Sequence, residues 1–364
     1  MASDLEAQET SGRDATWFER DTSPAAIESA LRELLVERRH GEAGLAVPAR
    51  VLNLVTIVDR QWRGEIENRL ERVGRYHASR TVLIAIEDRR STIDARATVI
   101  TDDEGLSGEF STTHEHVVVD IGTQHVEHLM TIVDPLVVTD LPTMLWAPHG
   151  HGEAIDELLP LAQVVLLDSV DDPDLEEAVM RAQELSRRAY VVDLAWLRST
   201  PWRERVAAAF DPPRERQQLP TLASVEVRHH AESQVAGVLF LGWLSSRLGW
   251  RPGALSTRAD GTMLGRARTR KGEVHLSLVP EPRQSVRGLA GLTIATANGT
   301  VLSLDRGTGG LHARRETRRG PTVEWTILGA SRGEPGILGE GIRQALLRDP
   351  TYGPALDAAA AMVG

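Results

Sequence analysis

Three groupings in this chain have residue types and spacing that could do chemistry. Histidines come in close pairs: His114 with His116, His125 with His128, and His149 with His151 around Gly150. Residues two apart share a face of a strand and residues three apart share a face of a helix. Each pair could therefore begin a nitrogen-ligand site that Glu115, Glu127 or Glu153 completes. A pair without a full ligand set is surface more often than metal centre, so no metal is assigned. The second grouping is RGTGGLHARRETRRG, residues 306–320, where Arg314, Arg315, Arg318 and Arg319 follow a glycine turn. Guanidinium forks suit carboxylates and phosphates, although charges on an edge strand also serve to resist aggregation. The third is DLAWLRSTPWRERVAAAFDPP, residues 193–213, which places Trp196 and Trp202 among Arg198, Arg203 and Arg205 in an aromatic-poor chain.

Signatures of catalysis are missing. The turn after the first apolar strand reads VDRQW rather than G-x-G-x-x-G, and the single lysine, Lys271, precedes Gly272 rather than ending a phosphate-binding loop. Nucleophile-elbow and zincin motifs are absent in any useful context. With no cysteine, disulfides, thiolate metal sites and cysteine nucleophiles are excluded. The chain is read as carrying no catalytic residue and no cofactor site.

The elements that must position these groups follow from patterning. At 364 residues the chain is long enough for two domains. Residues 1–22 show no periodicity and read as a disordered tail. Ser23 then caps a helix with Pro24 at its first position, its face formed by Ile27, Leu31, Leu34 and Leu35, and Gly41 stops it. From Val51, apolar runs of strand length (VLNLVTIV, TVLIAI, VVVDI, TMLWA, VVLLD, YVVDL) alternate with helical segments, including one at 125–138. That is the pattern of a Rossmann-like α/β domain with a parallel sheet, here with an antiparallel insertion near 94–121. Leu194 and Trp196 read as the end of the last strand; Thr200 caps a helix that Pro201 begins and whose apolar stripe is Trp202, Val206 and Phe210. After Pro213, alternating strands with glycine turns, among them Asn298-Gly299, surround a buried helix at 233–249. The expected fold is thus α/β and α+β: a tail (1–22), an N-terminal Rossmann-like domain (23–195), a connector helix (196–213) and a C-terminal α+β domain with an antiparallel sheet (214–364). On this reading the tryptophans fit an interdomain core better than an active site.

Charge is unevenly distributed. Residues 1–100 carry 17 acidic and 15 basic side chains, residues 101–200 carry 20 and 4, and residues 201–364 carry 15 and 22, which together give the net −11. Such polarity fits domains that neutralise each other or faces offered to different partners. The polar, acidic start of the chain and the absence of a long apolar run favour a cytoplasmic protein without a membrane partner.

Several stretches together carry a resemblance to a known family. ARVLNLVTIVD (49–59), RYHASRTVLIAI (75–86), DPLVVTDLPTMLWAP (134–148), the 193–213 stretch and VLFLGWLSSRLGW (238–250) resemble, in order, segments of the OpcA family, the glucose-6-phosphate dehydrogenase assembly proteins. Ala78 stands where the family commonly has proline, and the cysteines linked to control in some photosynthetic members are absent. The resemblance implies a non-enzymatic partner that binds glucose-6-phosphate dehydrogenase and promotes its active oligomer, feeding the oxidative pentose phosphate pathway. Candidate partner-binding residues are the arginines expected to be exposed near the domain junction, Arg198, Arg203 and Arg205, and those of the hairpin, Arg314, Arg315, Arg318 and Arg319. An alternative is a degenerate Rossmann-like enzyme or sensor that binds an anionic sugar phosphate through Arg80 or the hairpin. A nucleic-acid binder fits least, given the acidic middle and the lack of stacking aromatics among the arginines.

Overall fold

The structure, a computed structural model, describes residues 15–41, 50–74, 79–102, 112–328 and 333–364. The chain divides into two compact units, Met1–Val165 and Leu166–Gly364.

The first unit contains β1 (Ala15–Glu19), α1 (Pro24–Gly41), β2 (Leu52–Asp59), α2 (Arg63–Gly74), β3 (Ser79–Glu87), β4 (Asp94–Asp102), β5 (Thr112–Gly122), α3 (Leu129–Val133), β6 (Thr143–Trp146) and α4 (Gly152–Leu158). Then come β7 (Val164–Leu167), α5 (Leu175–Ser186) and β8 (Tyr190–Asp193), and the strand order is β1-β4-β5-β3-β2-β6-β7-β8. β2 pairs in parallel with both β3 and β6, and β3 with β5. The fully buried run Leu52–Val58 is what a strand covered on both faces requires. α1 begins as its sequence dictates: Ser23 Oγ accepts from the Ala26 amide at 3.3 Å, and Ile27, Leu31 and Leu34 are buried. β4 is the antiparallel insertion, but β5 also joins β3 and so belongs to the parallel core.

Two elements differ from expectation. Ala15–Glu19, read as part of a tail, pairs antiparallel with β4, Trp17 opposite Ala97; the short alternation ATWFE is a strand signal too brief to stand out. Residues 1–14 of that tail lie outside the described residues. The helix expected over 125–138 is broken into a 3-10 turn at Thr123–His128, the short α3, and a second 3-10 turn at Asp134–Leu136, where Pro135 has no amide to continue the ladder.

The second unit continues with α6 (Leu194–Arg198), α7 (Thr200–Phe210), α8 (Pro213–Arg216), β9 (Leu222–His229), α9 (Gln234–Leu248), β10 (Arg251–Pro252), β11 (Ser256–Thr257), β12 (Met263–Thr269), β13 (Gly272–Pro280), β14 (Leu289–Thr296), β15 (Val301–Gly307), β16 (Gly310–Glu316), β17 (Val323–Leu328), α10 (Gly333–Leu347) and α11 (Tyr352–Val363). Its sheet runs β10-β12-β13-β9-β14-β15-β16-β17, with β11 also on β12. Pairing is antiparallel except that β9 and β13 run parallel, so the sheet is mixed. The Asn298-Gly299 turn joins β14 to β15, with Gly299 at φ 83°, a conformation glycine adopts freely. α9 is apolar all round because α11 lies against it: a Cβ on Gly242 would sit 2.2 Å from the Ala355 carbonyl oxygen. α5 also packs on α11.

Within 193–213, Leu194 and Trp196 belong to α6 and not to a strand end, because the Asp193 carboxylate accepts from the Ala195 amide and caps a helix there. α7 follows as expected, with Trp202, Val206 and Phe210 buried, but Thr200 is its first residue and does not cap it.

Candidate functional site

The parallel strands set the first place to look. From β2 the chain passes to β3 and β5 on one side, then returns to β6 on the other. The order β5-β3-β2-β6 therefore reverses at β2 and β6, beyond whose C-terminal ends open α/β sheets bind their ligands. In a dinucleotide-binding sheet a glycine turn there lets a pyrophosphate reach a helix N-terminus. Here the turn is Asp59 followed by a 3-10 turn at Arg60–Trp62. Arg60 Nη1 lies 3.4 Å from Glu87 at the end of β3 and 3.3 Å from Asp120 of β5. Arg63, opening α2, donates to Asp120 at 2.8 Å. Arg90 bridges Glu87 at 2.6 Å and Asp94 at 2.8 Å. Trp62 stacks on His149 with ring centroids 4.7 Å apart, and His151 Nε2 lies 3.2 Å from Asp59 Oδ1. The helix N-terminus thus presents guanidinium groups already paired with carboxylates. Glu87, where an acidic residue would take a ribose hydroxyl, faces two arginines. These residues do not fit a dinucleotide.

The other histidines do not converge. His116 is enclosed, and burial, with Arg96 and Arg63 nearby, holds its imidazole down at about 4, so it is neutral near pH 7. His125 Nδ1 accepts from the Gly122 amide at 3.2 Å. Glu115, 1% exposed, takes Arg50 on one oxygen and Arg80 on the other. Among the described residues no group of three His, Asp or Glu side chains is placed to hold a metal ion. Arg80 is itself buried: its Nε reaches Glu115 at 2.6 Å and its Nη1 the Leu136 carbonyl at 3.1 Å.

The second place is the stretch from 193, which builds a sealed polar cluster inside the second unit. Asp193 Oδ1 accepts from the Ala195 amide (2.9 Å) and the Ser169 amide (3.2 Å), while Oδ2 accepts from Ser169 Oγ (2.6 Å) and the Tyr352 hydroxyl (3.1 Å). Burial pushes the Asp193 carboxyl up to about 6, with the charge of Asp168 adding and the hydrogen bonds from Ser169 and Ala195 opposing. Burial and then Asp193 push the Tyr352 hydroxyl well above its ordinary value. Trp196 meets the Tyr352 ring edge-on at 5.4 Å and donates from Nε1 to Asp349 at 2.8 Å. The Arg203 guanidinium lies 3.5 Å above the Trp196 ring and donates to Ser199 Oγ, Thr200 Oγ1 and the Trp196 carbonyl. Burial lowers the Arg203 pKa to about 10 against the opposing pull of Asp349. Burial raises the Asp349 carboxyl, but hydrogen bonds from Thr351 and Trp196 and the charge of Arg203 outweigh it and leave it below its ordinary value. A serine, a carboxylate and a tyrosine touch here, yet Ser169 and Asp193 are 4% and 1% exposed, so no substrate reaches them. The cluster locks β8, α6 and α11 together. Sequence reading missed Ser169, Asp349 and Tyr352, which lie far from 193 along the chain; the one local signal was Asp193 ahead of a helical run.

The arginines singled out from the sequence have unequal surroundings. Arg198, expected to be exposed, is buried and grips Asp168 with two bonds of 2.8 and 2.7 Å. Arg203, also expected at the surface, is the buried lid on Trp196. Both are drawn inward because an unpaired carboxylate in the interior costs more than burying a matched guanidinium. Arg205 is half-exposed and has no carboxylate partner among the described residues. Arg315 donates to the Ala209 carbonyl at 2.5 Å near the C-terminus of α7. Arg314 is exposed and pairs with Glu316 and, at 3.5 Å, with Glu324, whereas Arg318 and Arg319 face solvent. The arginines expected to act together are therefore not one surface.

Comparison with known proteins bears on what such a scaffold is for. Residues 70–184 match the model of the glucose-6-phosphate dehydrogenase subunit N-terminal domain of OpcA, and residues 189–356 match that of its C-terminal domain. The chain belongs to the OpcA family. Among its relatives is the OpcA of Synechococcus elongatus, 31% identical over 139 residues, or 37% of this chain and 31% of that protein. The OpcA of Synechocystis sp. is 26% identical over 169 residues, 42% of this chain and 35% of that one. Both are named for a proposed place in the OxPP cycle, and this chain spans about a third of their length. Solved structures that align include an oxidoreductase domain protein from Kribbella flavida (13% identity, TM-score 0.43, 85% of this chain and 95% of that one) and scyllo-inositol dehydrogenase from Lactobacillus casei (11%, 0.38, 87% and 96%). No helix among the described residues is long and apolar enough to cross a membrane.

Proposed function

We propose that this chain is a non-catalytic partner of glucose-6-phosphate dehydrogenase that binds the enzyme and favours its active oligomer. Membership of a family whose two domain models are named for a subunit of that dehydrogenase carries the reading. The filled crevice supports it: the place where a Rossmann-like sheet would hold a nicotinamide cofactor is occupied by Arg60, Arg63 and Arg90 with their carboxylates. The sealed Ser169–Asp193–Tyr352 cluster supports it too, since it offers rigidity and no access. An activator must bind the active oligomer more tightly than the inactive form, and about 1.4 kcal/mol of preference shifts that equilibrium tenfold. The alternative, a sugar-phosphate sensor using Arg80, has to contend with a guanidinium already committed to Glu115 and Leu136. Immobilised cognate dehydrogenase exposed to the purified chain tests the proposal. A saturable, reversible signal is expected; none at any attainable concentration would overturn it.

A further inference from the structure

An unassigned basic cleft lies at one edge of the second unit's sheet, a space of about 1200 Å³ bounded by β10, β12 and β13 and the loop after β10. Arg251, Arg266, Arg268 and Arg270 line it, with Glu273 as the acidic residue in the lining. Two features of the register make this arrangement unusual. Arg251 of β10 and Arg268 of β12 are direct cross-strand partners, so both guanidiniums leave the same face of the sheet at close range. Like charges placed directly opposite one another destabilise a sheet. Glu273, opposite Arg268 in register, offsets that charge only in part, because its carboxylate also pairs with Arg266 at 3.2 Å, and Arg251 has no carboxylate opposite it. Arg251, Arg268 and Arg270 are exposed and have no ion pair among the described residues.

The walls of the cleft are fixed in place. The Gly253 amide donates to the Arg266 carbonyl at 2.9 Å, and the Leu255 amide donates to the Met362 carbonyl of α11 at 2.8 Å. These bonds tie the loop after β10 to β12 and α11 beside the like-charged pair. We propose that this cleft docks an acidic segment of a protein partner, whose carboxylates supply the counter-charge that Arg251, Arg268 and Arg270 lack. A protein segment suits the geometry better than a small ligand. The arginines stand exposed around an open trough, whereas small-molecule sites enclose most of their ligand. Arg266 and Arg268, two apart on β12, repeat at roughly 6–7 Å, the spacing of alternate side chains on an extended chain. That the partner is the dehydrogenase rests on the function proposed above; the acidic chemistry of the occupant rests on the cleft alone.

The test uses the full chain and a fluorescein-labelled oligoglutamate peptide, read by anisotropy. Binding that weakens as salt rises is expected, with affinity falling at least about tenfold in the triple variant R251E/R268E/R270E and little changed in R187E/R188E, which reverses exposed arginines elsewhere. The single variant Arg251→Gln is expected to weaken the peptide and raise the Tm of the free protein, because it removes the like-charge pair and leaves Glu273 beside Arg268; a merely structural arginine would lower it. Equal affinity of wild type and triple variant would overturn the proposal. Displacement of the peptide by glucose 6-phosphate or inorganic phosphate, at concentrations where chloride of equal ionic strength leaves it bound, would reassign the cleft to a small anion. Preferential displacement by an oligothymidylate would reassign it to nucleic acid. Binding of immobilised dehydrogenase separates the two proposals: capture by wild type and the triple variant alike leaves the functional reading standing and removes the cleft from it, while no capture by wild type removes that reading.

Discussion

The buried Asp193 carboxyl should make the protein's stability fall as pH rises through the weakly acidic range, and Asp193→Asn should remove that dependence. In the fold its pKa stands near 6, against 3.8 for an unperturbed aspartate. Between those values the native state holds a proton that the unfolded chain has released, so unfolding free energy decreases with increasing pH. At about 1.4 kcal/mol per unit the loss accumulates to about 3 kcal/mol between pH ~4 and pH ~6 and then levels off. Asparagine keeps an oxygen for the Ser169 and Ala195 amides, and its amide group can meet Ser169 Oγ or the Tyr352 hydroxyl, so the cap survives without the charge. Urea unfolding of both proteins across this range gives the difference between them, from which the other titrating groups cancel. The variant should gain on wild type by about 3 kcal/mol from low to neutral pH. A difference that stays constant, or that shrinks as pH rises, would refute the claim that Asp193 is sealed with too little compensation for its charge.

Three further outcomes follow from the same contacts. Gly242→Ala sets helix propensity, which would stabilise α9 by about 1 kcal/mol, against a Cβ 2.2 Å from the Ala355 carbonyl; packing should win, lowering stability by about 1–3 kcal/mol in calorimetry. Arg203→Ala uncovers the Trp196 ring and removes a partner of Asp349, which should cost about 2 kcal/mol, seen as a lower Tm and altered tryptophan fluorescence. Calorimetric titration with NADP+ or NAD+ should give no saturable heat, because Arg60, Arg63 and Arg90 with Glu87 and Asp120 fill the crevice where the cofactor would lie; a site of micromolar affinity would contradict that geometry.

How far the sequence foretold this differs by element. β2 and β3 were legible because Leu52–Val58, broken by Asn53 and Thr56, and Val82–Ile86 are near-continuous apolar runs, which a doubly covered strand demands. The α7 stripe was legible for the same kind of reason, since Trp202, Val206 and Phe210 repeat at helical spacing. β1 was not, because five residues with two inward side chains carry too little pattern. The orientation of Arg198 and Arg203 was illegible too: nothing local tells a guanidinium to turn inward, and the carboxylates that draw it, Asp168 and Asp349, lie 30 and about 150 residues away in the chain. The basic cleft escaped notice because its arginines come from β10, β12 and the turn after it, and only strand register reveals Arg251 against Arg268.

Titrating the chain into the cognate glucose-6-phosphate dehydrogenase while following initial rates, with light scattering on the same mixtures, tests whether it assembles and activates that enzyme. A saturable rise in rate that coincides with a larger species containing both proteins is expected. Unchanged rates and two unshifted scattering peaks would contradict it.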